Sequence, residues 1–163
     1  MIRKQHKRYT TPRKRFNKTR IDEENIILKN YGLKNKKEVW RADFMIDKFR
    51  RQAKELITAS SEKQKKFIEM LSEKGLVKKD SQIDDVLALT KEAILNRRLQ
   101  TIVFKKGLAK TAKEARQHIT HRHILVDRSI VTVPSYFVNL EKENKISMQK
   151  KAKKEKGEIQ NVQ

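Results

Sequence analysis

Cysteine is absent from all 163 residues, which excludes a disulfide framework, thiol chemistry and any thiolate-built zinc finger or knuckle. Glycine occurs only four times, and no Gly-rich phosphate loop is present. Aromatic residues make up 6% of the chain. No stretch approaches the ~20 consecutive apolar residues a membrane-spanning helix requires, and the first twenty residues lack the apolar core of a secretory signal. Their Arg-rich, acid-free character is shared with mitochondrial transit peptides, but Met1–Arg20 is poor in Leu and Ser and shows no clear amphipathic helix. The expectation is a cytosolic chain without a membrane partner. Acid is also scarce: 20 Asp and Glu stand against 41 Lys and Arg, a formal net charge of +21.

A body with so much like charge repels itself unless counter-charge is nearby, so the excess is a statement about partners. A merely solvated surface mixes both signs more evenly, and nucleic acid is the first candidate polyanion. The charge is uneven along the chain. Met1–Arg20 carries nine Lys or Arg, no acid and little periodicity, and such a segment buries too little apolar surface to order itself.

Apolar residues next recur at helical spacing. Asp22 is a good N-cap before Ile26, Ile27 and Leu28, and Gly32 after Tyr31 is a stop signal. Asn35 with Glu38 opens a longer helix carrying Val39, Phe44, Ile46, Phe49, Ala53 and Leu56. Ser61 with Gln64 opens a third, with Phe67, Ile68 and Leu71 inward and Gly75 at its end. Asp84 caps a short turn, 85–89. Thr90 then caps a helix over 91–106 with the stripe Ile94, Leu95, Leu99, Ile102 and Val103, stopped by Gly107. The run Thr111-Ala112-Lys113-Glu114 is a capping box for a helix to about His121. From Ile124 the period changes to short β-branched and aromatic runs, 124–126, 130–133 and 136–140, which read as a small antiparallel sheet. After Leu140 the chain returns to Lys and Glu without apolar rhythm.

Several of these motifs occur in a recognisable order: Asn96-Arg97-Arg98-Leu99-Gln100, Phe104 to Leu108, Thr111 to Gln117, His121-Arg122-His123-Ile124 and Val133-Pro134-Ser135. Together they resemble the S-four RNA-binding domain. Upstream, Tyr31-Gly32-Leu33-Lys34-Asn35-Lys36-Lys37-Glu38-Val39-Trp40-Arg41 and 89–100 resemble the archaeal and eukaryotic branch of small-subunit ribosomal protein S-four. Two departures stand out. Asp127-Arg128-Ser129 replaces the frequent Asn-Gly turn, and Arg122 replaces a common Gly.

The resemblance implies an α+β fold: an all-helical N-terminal body with a basic extended arm, followed by an S-four (αL-like) domain of two helices and a small antiparallel sheet. The corresponding boundaries are an arm at 1–21, a helical body at 22–90, the S-four domain at 91–140 and a charged flexible tail at 141–163. It implies a structural constituent of the small ribosomal subunit, in the cytoplasm, that binds the 5′ domain of small-subunit ribosomal RNA, nucleates assembly and contributes to translational accuracy. Neighbouring ribosomal proteins, notably S-five, are the implied protein partners. Acidic positions such as Glu114 and Asp127 would be available to a basic neighbour.

RNA presents phosphates and a wide, shallow minor groove, so a shape-reading protein needs Arg and Lys spread over rigid elements. The candidate RNA-binding residues are Arg3, Lys4, Lys7, Arg8, Arg13, Lys14 and Arg15 in the arm. In the second half, Arg97, Arg98 and Lys105 lie off the apolar stripe, Lys106 and Lys110 lie in the loop between the two helices, and Lys113 and Arg116 share one side of the next helix. The resemblance to the S-four domain implies that Arg97, Arg98, Gln100, Thr111, Arg116, Gln117, His121, Arg122 and His123 fall on RNA-facing elements. Tyr9 and Phe16, set among basic residues, are candidates for stacking on bases, whereas Trp40, Phe44, Phe49 and Phe67 lie on helical stripes and read as core.

No catalytic residue, cofactor or metal is expected. His118, His121 and His123 lack carboxylate or thiolate partners at ligand spacing, and Asp22-Glu23-Glu24 and Asp84-Asp85 are explained by helix capping. Two alternatives remain: an RNA-modifying enzyme fragment of the pseudouridine synthase type, for which the chain has little room, and a general basic nucleic-acid-binding protein.

Overall fold

A computed structural model describes residues 7–149, so Arg3 and Lys4 and the last part of the expected tail lie outside the described residues. The first helix, α1 (Lys18–Asn30), begins earlier than Asp22 predicts. Asn17 caps it, its side chain accepting from the Arg20 amide. Gly32, at φ +58, then turns the chain. Helix α2 (Lys36–Leu56) buries Val39, Ala42, Ile46, Phe49 and Ala53, alternating three- and four-residue steps that place them on one face. Helix α3 (Ser61–Glu73) buries Phe67 and Leu71. The Gln64 amide closes its start by donating to the carbonyls of Leu56, Ile57 and Ala59. Short helix α4 (Ile83–Leu87) is boxed by Gln82 and Asp85, not by Asp84.

The single helix expected over 91–106 is instead two, α5 (Lys91–Asn96) and α6 (Leu99–Lys105). Arg98 between them is extended, at φ −74 and ψ 143, and forms an antiparallel bridge with Phe137. The interruption gives the segment 134–138 backbone partners: the Val138 amide donates to the Arg97 carbonyl, and the Leu99 and Gln100 amides donate to the carbonyls of Tyr136 and Pro134. Helix α7 (Ala112–Thr120) is capped by the Thr111 hydroxyl, which accepts from the Glu114 amide at 3.1 Å.

The sheet is antiparallel with order β2-β1-β3, formed by β1 (Ile124–Val126), β2 (Ser129–Ile130) and β3 (Ile146–Met148). Two expectations are corrected here. Of residues 136–140, Tyr136 to Val138 lie against the α5–α6 break and not in the sheet, because that break satisfies their backbone groups, and Leu140 opens a short helix. The third strand comes from the segment expected to be a flexible tail: after α8 (Leu140–Glu143), β3 pairs Ile146 with Val126 and buries its side chain. Asp127 and Arg128, both at positive φ, make the β1–β2 turn, so this departure from Asn-Gly keeps a left-handed turn without glycine.

Two apolar cores result. One joins α1 to α5 through Val39, Leu71, Val86 and Leu95. The other joins α6, α7 and the sheet through Leu99, Val103, Ile119, Ile124 and Val138. They divide at Arg97–Arg98, so α5 packs with the helical body. At Gly32 the two halves approach closely: a Cβ there would sit 2.9 Å from the Ala112 Cβ, on a backbone already at positive φ. Gly32→Ala, which would stabilise by up to ~1 kcal/mol at an unstrained position, is here expected to destabilise by more than that. Chemical denaturation of the variant measures that loss.

Candidate nucleic-acid interface

The basic residues of the second half fall into an inward group and an outward group. Arg98 is 6% exposed, and its guanidinium meets the Glu38 carboxylate at 2.5 Å. Arg116 approaches the other oxygen of Glu38 at 3.1 Å and reaches Gln100 Oε1 at 3.3 Å. Gln100, 1% exposed, donates its side-chain amide to the carbonyls of Tyr31, Gly32 and Ala112. Arg97 lies over the Val138 carbonyl at 2.8 Å and pairs with Glu143 at 2.7 Å.

Arg97, Arg98, Gln100 and Arg116, expected on an RNA-facing surface, are turned inward in this structure, where they join the two cores and fasten 138–143. Identity and spacing do not distinguish a guanidinium that meets phosphate from one that meets a carboxylate sixty residues away. Glu38 carries the missing signal: the capping box expected with Asn35 does not form, since Asn35 makes no side-chain cap bond, and the Glu38 carboxylate instead accepts from the Lys34 amide at 3.2 Å and takes both guanidiniums.

Burial by itself would raise the Glu38 pKa, but the hydrogen bonds and charges of Arg116 and Arg98 outweigh it and hold the carboxyl below its ordinary value. A carboxyl whose folded pKa lies below its unfolded value contributes stability fully above the unfolded value, and loses it as pH falls through the folded one. Asp43 acts in the opposite sense, its pKa raised mainly by burial. Acid unfolding of Glu38→Gln is therefore expected to depend less on pH below the ordinary glutamate range than that of the wild type, when the two stability–pH curves are compared.

The outward group comprises Lys105, Lys106, Lys110, Lys113, Gln117, His121 and Arg122, all exposed, with His123 half-buried. Lys113 and Gln117 share a face of α7, one turn apart, opposite the buried Ala115 and Ile119. The His121 and His123 rings stack with centroids 6.3 Å apart, and Arg122 between them is at φ +64. Lys105 reaches Asn96 at 3.1 Å, and Lys106 meets the Glu143 carbonyl. Thr111 is exposed, its hydroxyl engaged in the α7 cap. Among the described residues, no group of three or more His, Asp or Glu is arranged to hold a metal ion.

The arm contributes a second basic surface. Lys7, Arg8, Arg13, Lys14 and Arg15 are exposed. Part of the arm is fastened to the body: Tyr9 lies against Trp40 at a centroid distance of 6.3 Å, with the Lys37 ammonium 5.9 Å from the Tyr9 ring. Beneath this contact, Glu24, 3% exposed, accepts from the Trp40 indole at 3.0 Å and pairs with Arg20 and Lys36. By sequence, Glu24, with Asp22 and Glu23, is explained by capping of a helix start. Its burial depends on α2 lying against α1 and is invisible locally.

Residues 97–144 match the family described as the S4 domain, beginning at the division between the two cores. The chain is 49% identical over 149 residues to small ribosomal subunit protein uS4 of Thermoplasma volcanium, covering 87% of this chain and 74% of that relative. The chain belongs to the uS4 family. The uS4 proteins of Methanoregula boonei and Methanothermobacter thermautotrophicus are each 44% identical, over 88% of this chain and 83% and 86% of their own lengths. The uS4 resemblance thus spans the helical body as well as the S4 domain, which separates the chain from proteins that share that domain alone. No helix among the described residues is long and apolar enough to cross a membrane.

Proposed function

We propose that this uS4 chain is a structural constituent of the small ribosomal subunit that binds ribosomal RNA through two outward basic surfaces, the arm and the exposed face of the S4 domain. The observation carrying this reading is family membership over nearly the whole chain, reinforced by the +21 net charge. Within the reading, the RNA is the 5′ domain of small-subunit ribosomal RNA, gripped at a multi-helix junction, and the location is the cytoplasm. The protein acts without catalysis: it nucleates assembly by holding RNA helices in a fixed relation. The interlock through Glu38, Gln100 and Gly32 suits that role, because two basic surfaces on one rigid body impose a geometry that two tethered domains do not.

Lys113 and Arg122 are phosphate contacts in this account, whereas Arg98 supports the fold. Replacing Lys113 or Arg122 by Ala is expected to weaken binding to a 5′-domain RNA fragment and to reduce the salt slope by about one, with thermal unfolding unchanged. With some six to ten phosphates neutralised, log affinity of the wild type falls against log salt with a slope of about −4 to −9. A filter-binding titration showing a slope shallower than about −2 contradicts the reading.

A ribosomal neighbour such as S-five is the further partner. Glu114 is taken up in its own helix cap, its carboxylate accepting from the Lys110 amide at 2.7 Å, which leaves the exposed Asp127, 3.4 Å from Lys145, as the better-placed acid. Exposed pairs contribute only ~0–1 kcal/mol, so such a contact loosens readily. Asp127→Lys is expected to raise misreading in assembled subunits, and a reporter assay returning normal accuracy removes that contact.

A further inference from the structure

The two aromatic residues of the arm have different environments. Tyr9 is half-buried against Trp40 and Lys37, while Phe16 is 92% exposed, more than any other large apolar side chain described. Such exposure costs free energy in water, yet the backbone carrying the ring is fixed. The Arg20 guanidinium donates to the carbonyls of Lys14 and Arg15, at 3.2 and 2.9 Å, and so closes the turn just before Phe16. Arg20 is itself held by the buried Glu24, which the Trp40 indole hydrogen-bonds from α2. Immediately after the ring, Asn17 caps α1. Phe16 is therefore presented outward on a turn braced from the helical body.

The surroundings define the ligand chemistry. Arg13, Lys14, Arg15 and Lys18 flank Phe16 in the sequence, all exposed, and no acidic residue occurs before Asp22. An apolar partner alone gains nothing from four cations, and an anionic partner alone gains nothing from a bare ring. An unpaired nucleotide uses both, its base lying on the ring face and its phosphates on the neighbouring cations. We propose that Phe16 is a stacking platform for one unpaired nucleobase of RNA, pre-positioned by the Arg20–Glu24 brace, with Arg13 to Arg15 and Lys18 holding the adjoining phosphates. The inference rests on the RNA-binding reading and adds a single-stranded element to it: the recognised RNA offers an extruded or looped base beside its helices.

The test uses the full chain with a small-subunit ribosomal RNA fragment, and compares Phe16→Ala, Phe16→Leu and Phe16→Trp in affinity, salt slope and ultraviolet cross-linking read by mass spectrometry. In the wild type a nucleotide is expected cross-linked at Phe16. The Ala and Leu variants are expected to bind about ten-fold more weakly with an unchanged salt slope, because stacking releases no counter-ions. The Trp variant should bind at least as well as the wild type. Leu binding like the wild type while Ala is weak would indicate an apolar seat, on protein or sugar, and overturn stacking. Wild-type affinity in all three variants with no cross-link at Phe16 would overturn it as well, while leaving the RNA-binding reading intact. Failure of the wild type itself to bind would overturn both.

Discussion

Glu38→Ala is expected to destabilise the free protein by about 3–5 kcal/mol, the usual consequence of removing one partner from a buried ion pair. Two guanidiniums converge on this carboxylate from the other half of the chain, and Arg98 has little access to water with which to replace it. Arg98→Ala should cost a similar amount, and the double variant much less than the sum, since each single change already breaks the same contact. Denaturant unfolding of the four proteins measures the coupling. Additive losses would show that the two residues stabilise the fold independently. The effect on RNA binding should follow from the same contact: folded Glu38→Ala protein retains its outward lysines, but their two surfaces are no longer held in one relation.

Leu99→Ala tests the second core. Leu99 is fully buried among residues of α6, α7 and the sheet, and truncating such a side chain leaves a cavity costing ~2–5 kcal/mol. For a chain of this size that lowers the melting temperature by roughly 2–4 °C per kcal/mol. The loss should be concentrated in amide protection of α6, α7 and β1, with α2 and α3 less affected. A variant that melts like the wild type would place Leu99 outside the core.

Much of the fold was legible because local signals agreed with tertiary ones. Helix α2 repeats its apolar side chains at helical spacing, and Thr111 marks the start of α7 by its own chemistry. The interruption at Arg97–Arg98 was not legible, since Ile94, Leu95, Leu99, Ile102 and Val103 continue a helical stripe straight through it. What breaks the helix is the demand of 134–138 for backbone partners, a long-range requirement. Strand β3 was missed for a related reason: only Ile146 of its three residues is buried, in a stretch rich in Lys and Glu, and its strand identity comes from pairing with β1.

For the candidate site, composition and motif order pointed to nucleic acid and to the family, but not to which cations remain outward. Lys113 and Arg122 were legible as exposed positions, whereas Arg98 and Gln100 were not legible as interior ones. Their partners, Glu38 and the Tyr31–Gly32 carbonyls, lie more than fifty residues away.

Hydroxyl-radical footprinting of the chain on intact small-subunit ribosomal RNA, with duplex DNA in excess as competitor, tests the central claim most directly. The account predicts protection confined to one multi-helix junction of the 5′ domain, persisting against the competitor and lost progressively as salt is raised. Protection scattered across the RNA, or abolished by the DNA, would make the chain a general basic binder and contradict the account.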